Sequence, residues 1–126
     1  PLQINLQEEK AMKKIALLAY NGELTCFAHV MLYALDLDKK GYEVRVVIEG
    51  AATSLITQLA IPDTPFANLY SQLREKGLLT CICKACSQKM GTLEAAEEQG
   101  LNIVGDMQGH PSIEGFLSDG FQIISF

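Results

Sequence analysis

From Ile15 to Ala19 the chain reads Ile-Ala-Leu-Leu-Ala, an apolar run with no polar interruption. A run this short, without alternation, suits a strand covered on both faces, the kind found in parallel sheets. Four more segments rich in aliphatic residues follow: Glu43–Glu49, Leu78–Cys83, Leu101–Val104 and Phe121–Phe126. Helical patterns separate them. Thr25 is placed to cap a helix running to about Lys40 and closed by Gly41, and a short helix over Ala52–Ala60 must end before Pro62. Asp63-Thr64-Pro65 offers a cap and a first-turn proline, and Phe66, Leu69, Tyr70 and Leu73 follow at helical spacing. A further stretch, Lys84–Gln99, breaks at Gly91, and Pro111 is placed to open a last short helix. Alternating strands and helices predict an α/β fold: a mostly parallel sheet with helices on both faces.

The 126 residues suffice for one domain with a substantial core. Residues 13–126 are expected to form it, with 1–12 as an N-terminal arm or tag. The net charge is −5 and the ten Lys and Arg are scattered, which leaves no basic face for nucleic acid. No apolar run approaches the roughly 20 residues that span a bilayer, and the polar start does not read as a signal peptide. A cytoplasmic location follows as the expectation. No glycine-rich phosphate-binding motif and no G-x-S-x-G elbow occurs.

Chemistry concentrates on the cysteines. In open parallel sheets, functional groups gather where strands end at their carboxyl edge. Cys26 and His29 follow the first strand, Glu49 ends the second, Cys83 and Cys86 follow the third, and His110 follows the fourth. Cys81, deeper in its strand, reads as a small core residue. Cys83 stands where strand gives way to helix, where unpaired N–H groups favour a thiolate; Lys84 and Lys89 can add positive charge. That position predicts a depressed thiol pKa. Cys83-x-x-Cys86 is a spacing used by redox pairs and by zinc sites. Cys26-x-x-His29 places two more soft ligands on one helical face, so Cys26, His29, Cys83 and Cys86 make a candidate tetrahedral set for zinc, with His110 in reserve. His29, among Phe27, Val30 and Met31, also reads as a partly buried histidine, and His110 as a cap for the last helix. Glu49 can orient a thiol or a ligand, or simply open the next turn. Whether Cys26 approaches Cys83 depends on strand order: adjacent strands lie about 4.8 Å apart, and one strand further the gap is roughly 10 Å.

Leu79-Thr80-Cys81-Ile82-Cys83, a helix, and Gly91 eight residues after Cys83 resemble the active-cysteine segment of the DsrE/DsrF-like family. Lys14–Ala19, Tyr42–Glu49 and Gly120-Phe121-Gln122-Ile123 extend the likeness over roughly residues 13–126. The resemblance implies a three-layer α/β/α domain with a five-stranded parallel sheet, assembled as a homo-oligomer, a trimer or hexamer. It also implies sulfane sulfur held as a persulfide on Cys83 and passed between donor and acceptor proteins, a sulfurtransferase acting as a carrier. The resemblance carries over Cys83 alone; by position and spacing Cys86 is the candidate partner thiol, with Lys84, Cys26, His29 and His110 as supporting candidates. The alternative is a zinc-binding or thiol redox-sensing module without turnover, built from Cys26, His29, Cys83, Cys86 and His110.

Overall fold

The computed structural model describes residues 13–126; the expected arm over 1–12 lies outside them. Five parallel strands form one sheet: β1 Lys14–Ala19, β2 Glu43–Ile48, β3 Leu79–Cys83, β4 Ile103–Val104 and β5 Gln122–Ser125, in the order β4-β3-β2-β1-β5. Helix α1 is Leu24–Lys39. A 3-10 helix, Gly50–Leu55, leads into α2 Ile56–Leu59. The remaining helices are α3 Ala67–Glu75, α4 Lys84–Lys89, α5 Leu93–Glu98 and α6 Glu114–Ser118.

The layering follows from handedness. Each step from β1 to β2, β3 and β4 moves one strand in the same direction, and right-handed crossovers therefore put α1 to α5 on one face. The step from β4 to β5 runs back across the sheet, so α6 falls on the other. The packing agrees. Ile15, Leu17, Val44, Val46, Ile48 and Ile82 share a core with Phe27, Met31, Ile56, Tyr70 and Leu73, while Ala16, Leu18, Val47 and Cys81 pack with Phe121 and Phe116. The third layer is a single helix of five residues.

Helix boundaries depart from expectation where local hydrogen bonds compete. Helix α1 starts at Leu24, not after Thr25, because Asn21 Oδ1 accepts the Glu23 N–H and makes Glu23 the cap residue. Asp63 does not cap α3. The Thr64 hydroxyl instead bonds the carbonyls of Gln58 and Ile61, and Asp63 and Phe66 adopt φ of 68° and 66°. Helix α3 begins after that turn, with Tyr70 and Leu73 buried and Phe66 left at the surface. Strand β4 shortens to two residues, and α6 starts three residues beyond Pro111.

The one consequence for the site is a reversal of direction. The chain leaves β3 toward the face carrying α4 and leaves the neighbouring β4 toward the face carrying α6. The loops after both strands nevertheless meet at the carboxyl edge, the place where open α/β sheets bind ligands; there the Ala85 N–H donates to the Gly109 carbonyl.

Candidate functional site

Cys83 closes β3 and serves as the N-cap of α4: its Sγ accepts the Cys86 backbone N–H at 3.4 Å. The Ser87 hydroxyl donates to the Cys83 carbonyl at 2.7 Å and fixes the turn. On the loop after β4, Met107 and His110 pair their backbones in a tight hairpin, with bonds of 2.8 and 2.9 Å. Its central residues, Gln108 and Gly109, have φ of 55° and 92°, as a primed turn requires. Glycine is needed here for closeness as well as conformation. The Ala85 N–H donates to the Gly109 carbonyl at 2.8 Å, and a Cβ on Gly105 would sit 3.1 Å from that oxygen. The hairpin can therefore lie against the start of α4 and carry His110 over the thiols.

One imidazole nitrogen then faces both sulfurs. His110 Nδ1 is 3.1 Å from Cys83 Sγ and 3.6 Å from Cys86 Sγ. With the ring proton on Nε2, Nδ1 is the acceptor for either thiol. Glu49 completes the group; its ligand oxygen and those of Cys83, Cys86 and His110 all lie within 4.8 Å of one another. Register explains why Glu49 is there. Ala19 is opposite Ile48, so Tyr20 and Glu49 leave the sheet side by side, and the Tyr20 hydroxyl donates to Glu49 Oε2 at 3.0 Å. Cys83 is fully buried and Glu49 nearly so, while Cys86 and His110 are half-buried and face the opening.

The electrostatics correct one expectation. The Cys83 thiol is pushed up to about 12, not lowered. Burial is the largest cause; the Cys86 N–H opposes it, and the Cys86 thiol and the Glu49 carboxylate reinforce it. Helix α4 has only six residues, so its dipole is too small to offset desolvation. Burial also raises the Tyr20 hydroxyl to about 12, with the Glu49 hydrogen bond adding to it.

The remaining candidates fall elsewhere. Cys26 and His29 do not join the cluster. Strand β2 stands between β1 and β3, which is the distant case for strand order. His29 is exposed, not partly buried, and its Nδ1 bonds the Thr25 carbonyl at 2.9 Å. Lys84 is exposed, and among the described residues its ammonium makes no hydrogen bond or ion pair with the site. Cys81 is buried in the second core, as its strand position suggested. Tyr20 was not singled out from sequence. Its signal is positional: it is the first residue past a strand whose neighbour ends in Glu49.

The model of the DsrE/DsrF-like family matches residues 8–126. An uncharacterized protein of Methanocaldococcus jannaschii is 27% identical over 96 residues, covering 76% of each chain. An uncharacterized protein of Archaeoglobus fulgidus is 42% identical over 41 residues, 32% of this chain and 67% of its own. Among solved structures, a conserved protein of unknown function from Bacteroides thetaiotaomicron superposes with a TM-score of 0.65 at 18% identity, over 93% of this chain and 97% of its own. At that identity the likeness speaks to the fold.

Proposed function

The chain belongs to the DsrE/DsrF-like family, and from that premise we propose that it is a sulfur carrier whose persulfide is held on Cys83 and exchanged through Cys86. The observation that carries this reading is the pair of sulfurs facing one His110 nitrogen, one buried and one reachable.

The buried position of Cys83 sets the order of steps. Cys86, at the opening, loses its proton to His110 and attacks the outer sulfur of a donor persulfide. A Cys86 persulfide forms and the donor leaves as its thiolate. His110 gives that proton to the departing donor thiolate and, neutral again, accepts the Cys83 proton. The Cys83 thiolate then takes the outer sulfur and releases Cys86 as a thiolate, which recovers the proton from His110. Delivery reverses the sequence toward an acceptor thiolate. Each step breaks one S–S bond and makes another, so the cycle has no net oxidation or reduction. The complete burial of Cys83 stores the persulfide away from water and stray thiols. The high pKa of Cys83 makes proton transfer to His110 necessary.

Thiol-bearing donor and acceptor proteins are the partners this cycle demands. Among the described residues no helix is long and apolar enough to cross a membrane, and a cytoplasmic setting that keeps both thiols reduced belongs to the same proposal. So does assembly as a trimer or hexamer. The thin third layer supports it: α6 and the residue before it leave Ile113 and Leu117 exposed.

Intact-mass spectrometry after incubation with a small persulfide donor tests the reading. One sulfur atom is expected on the peptide containing Cys83 and Cys86, absent in Cys86→Ser and, in Cys83→Ser, present only as an accessible Cys86 persulfide that a small thiol strips off. An adduct that survives both substitutions, or none in the wild type, overturns it.

A further inference from the structure

Four donor atoms from three loops meet at the carboxyl edge of the sheet: the Cys83 and Cys86 sulfurs after β3, a Glu49 oxygen after β2 and His110 Nδ1 after β4. We infer that they form a four-ligand site for a zinc-class cation, and that its occupation competes with sulfur loading of the same thiols. The competition rests on the carrier reading above; the metal site does not.

The donor set and its spacing carry the inference. Two thiolates, an imidazole and a carboxylate match what zinc takes in tetrahedral sites. With Zn–S near 2.3 Å and Zn–N near 2.0–2.1 Å, tetrahedral geometry sets the sulfur-to-nitrogen edge at about 3.6 Å. The Cys86–His110 separation is 3.6 Å. The Cys83–His110 separation of 3.1 Å must open by about 0.5 Å, within the reach of a side-chain torsion. Both sulfurs approach Nδ1, which makes it the ligating nitrogen. Tyr20 donates to Glu49 Oε2 and so orients the carboxylate from outside, the arrangement that outer partners of metal ligands adopt. Glu49 and His110 take the two places that Cys26 and His29 were expected to fill.

Binding replaces two S–H bonds by two metal–thiolate bonds and releases two protons, so affinity falls as pH falls. A thiolate held by the cation is withheld from the donor persulfide. The metal-bound protein is then a resting form, and the metal-free protein is the form that loads sulfur.

The test uses the full chain, stripped with a chelator under reducing conditions and titrated with cobalt(II), whose thiolate charge-transfer absorption reports sulfur ligation. One cobalt per chain with that absorption is expected, displaced by zinc. His110→Ala and Glu49→Gln should each weaken binding more than ~100-fold, the upper end of what an outer-sphere partner alone is worth. Cys26→Ser and His29→Ala should leave it within about twofold of the wild type. Absence of the absorption, or an equal loss in Cys26→Ser, overturns the site. Circular dichroism of each variant separates a lost ligand from a lost fold. Persulfide loading is then followed by mass with and without saturating zinc. A tenfold slower loading is expected, and loading at an unchanged rate overturns the competition. If the metal-free protein takes up no sulfur while cobalt binds, the carrier reading fails and the metal site stands.

Discussion

Cys26-Phe27-Ala28-His29 and Cys83-Lys84-Ala85-Cys86 both follow a parallel strand at the same edge of the sheet, and both offer two soft ligands three residues apart. Their surroundings part them. The first turn lies on a sixteen-residue helix, where the His29 ring bonds its own backbone at Thr25 and stands in the solvent. The second lies between β2 and β4, whose loops supply Glu49 and His110 from either side. A C-x-x-C or C-x-x-H turn supplies half of a site, and the other half has to arrive from neighbouring strands. Strand β3 has such neighbours because the chain changes face between β3 and β4. The turn after β1 has no comparable partner among the described residues.

The sharpest way to break this contrast is to exchange the two histidines for alanine. His110→Ala removes the proton acceptor shared by both thiols and should slow persulfide loading by roughly 10²- to 10⁴-fold, the usual worth of a positioned general base. His29→Ala should leave the rate within about twofold. Loading rates from stopped mass-spectrometric time points decide between them, and equal losses would mean that the two turns act together.

A smaller effect is expected from the hairpin that delivers His110. Gly109→Val forces a branched side chain into φ of 92° with a Cβ 3.1 Å from Ala85 Cβ. A stability loss of about 1–3 kcal/mol is expected in urea melts, together with slower loading. Normal loading in a destabilised protein would show that the hairpin holds the fold but not the chemistry.

Alkali should produce the smallest difference. The folded protein holds Cys83 protonated up to about 12, against an ordinary value of 9.0. Its contribution is complete below pH 9 and is lost as pH rises through 12, because above 9 the unfolded chain releases a proton that the folded one retains. Cys81 and Tyr70, also pushed up to about 12 by burial, slope the same way. The informative quantity is therefore a difference: Cys83→Ser should flatten the fall in stability between pH 9 and 12 by at most one proton.

The strands are legible in the chain because burial on two faces demands continuous apolar runs, and the runs at Ile15–Ala19 and Val46–Ile48 show it. Cys83, Cys86 and His110 are legible as residues at the carboxyl edge for the same reason. Three features are not local. Glu49 reaches the thiols because β2 lies beside β3, Tyr20 reaches Glu49 because Ala19 is in register with Ile48, and His110 arrives through two glycines that let a hairpin lie on α4. The depressed pKa expected for Cys83 fails likewise. A helix start can be read from sequence, but the six-residue length of α4 and the complete burial of the sulfur belong to the packed structure. By itself the chain determined an α/β sheet with its chemistry on one edge, since hydrophobic pattern and turn residues act over a few positions. Only the tertiary structure decided which loops meet at the thiols, because strand order and the direction of each crossover are set by packing between segments far apart in the chain.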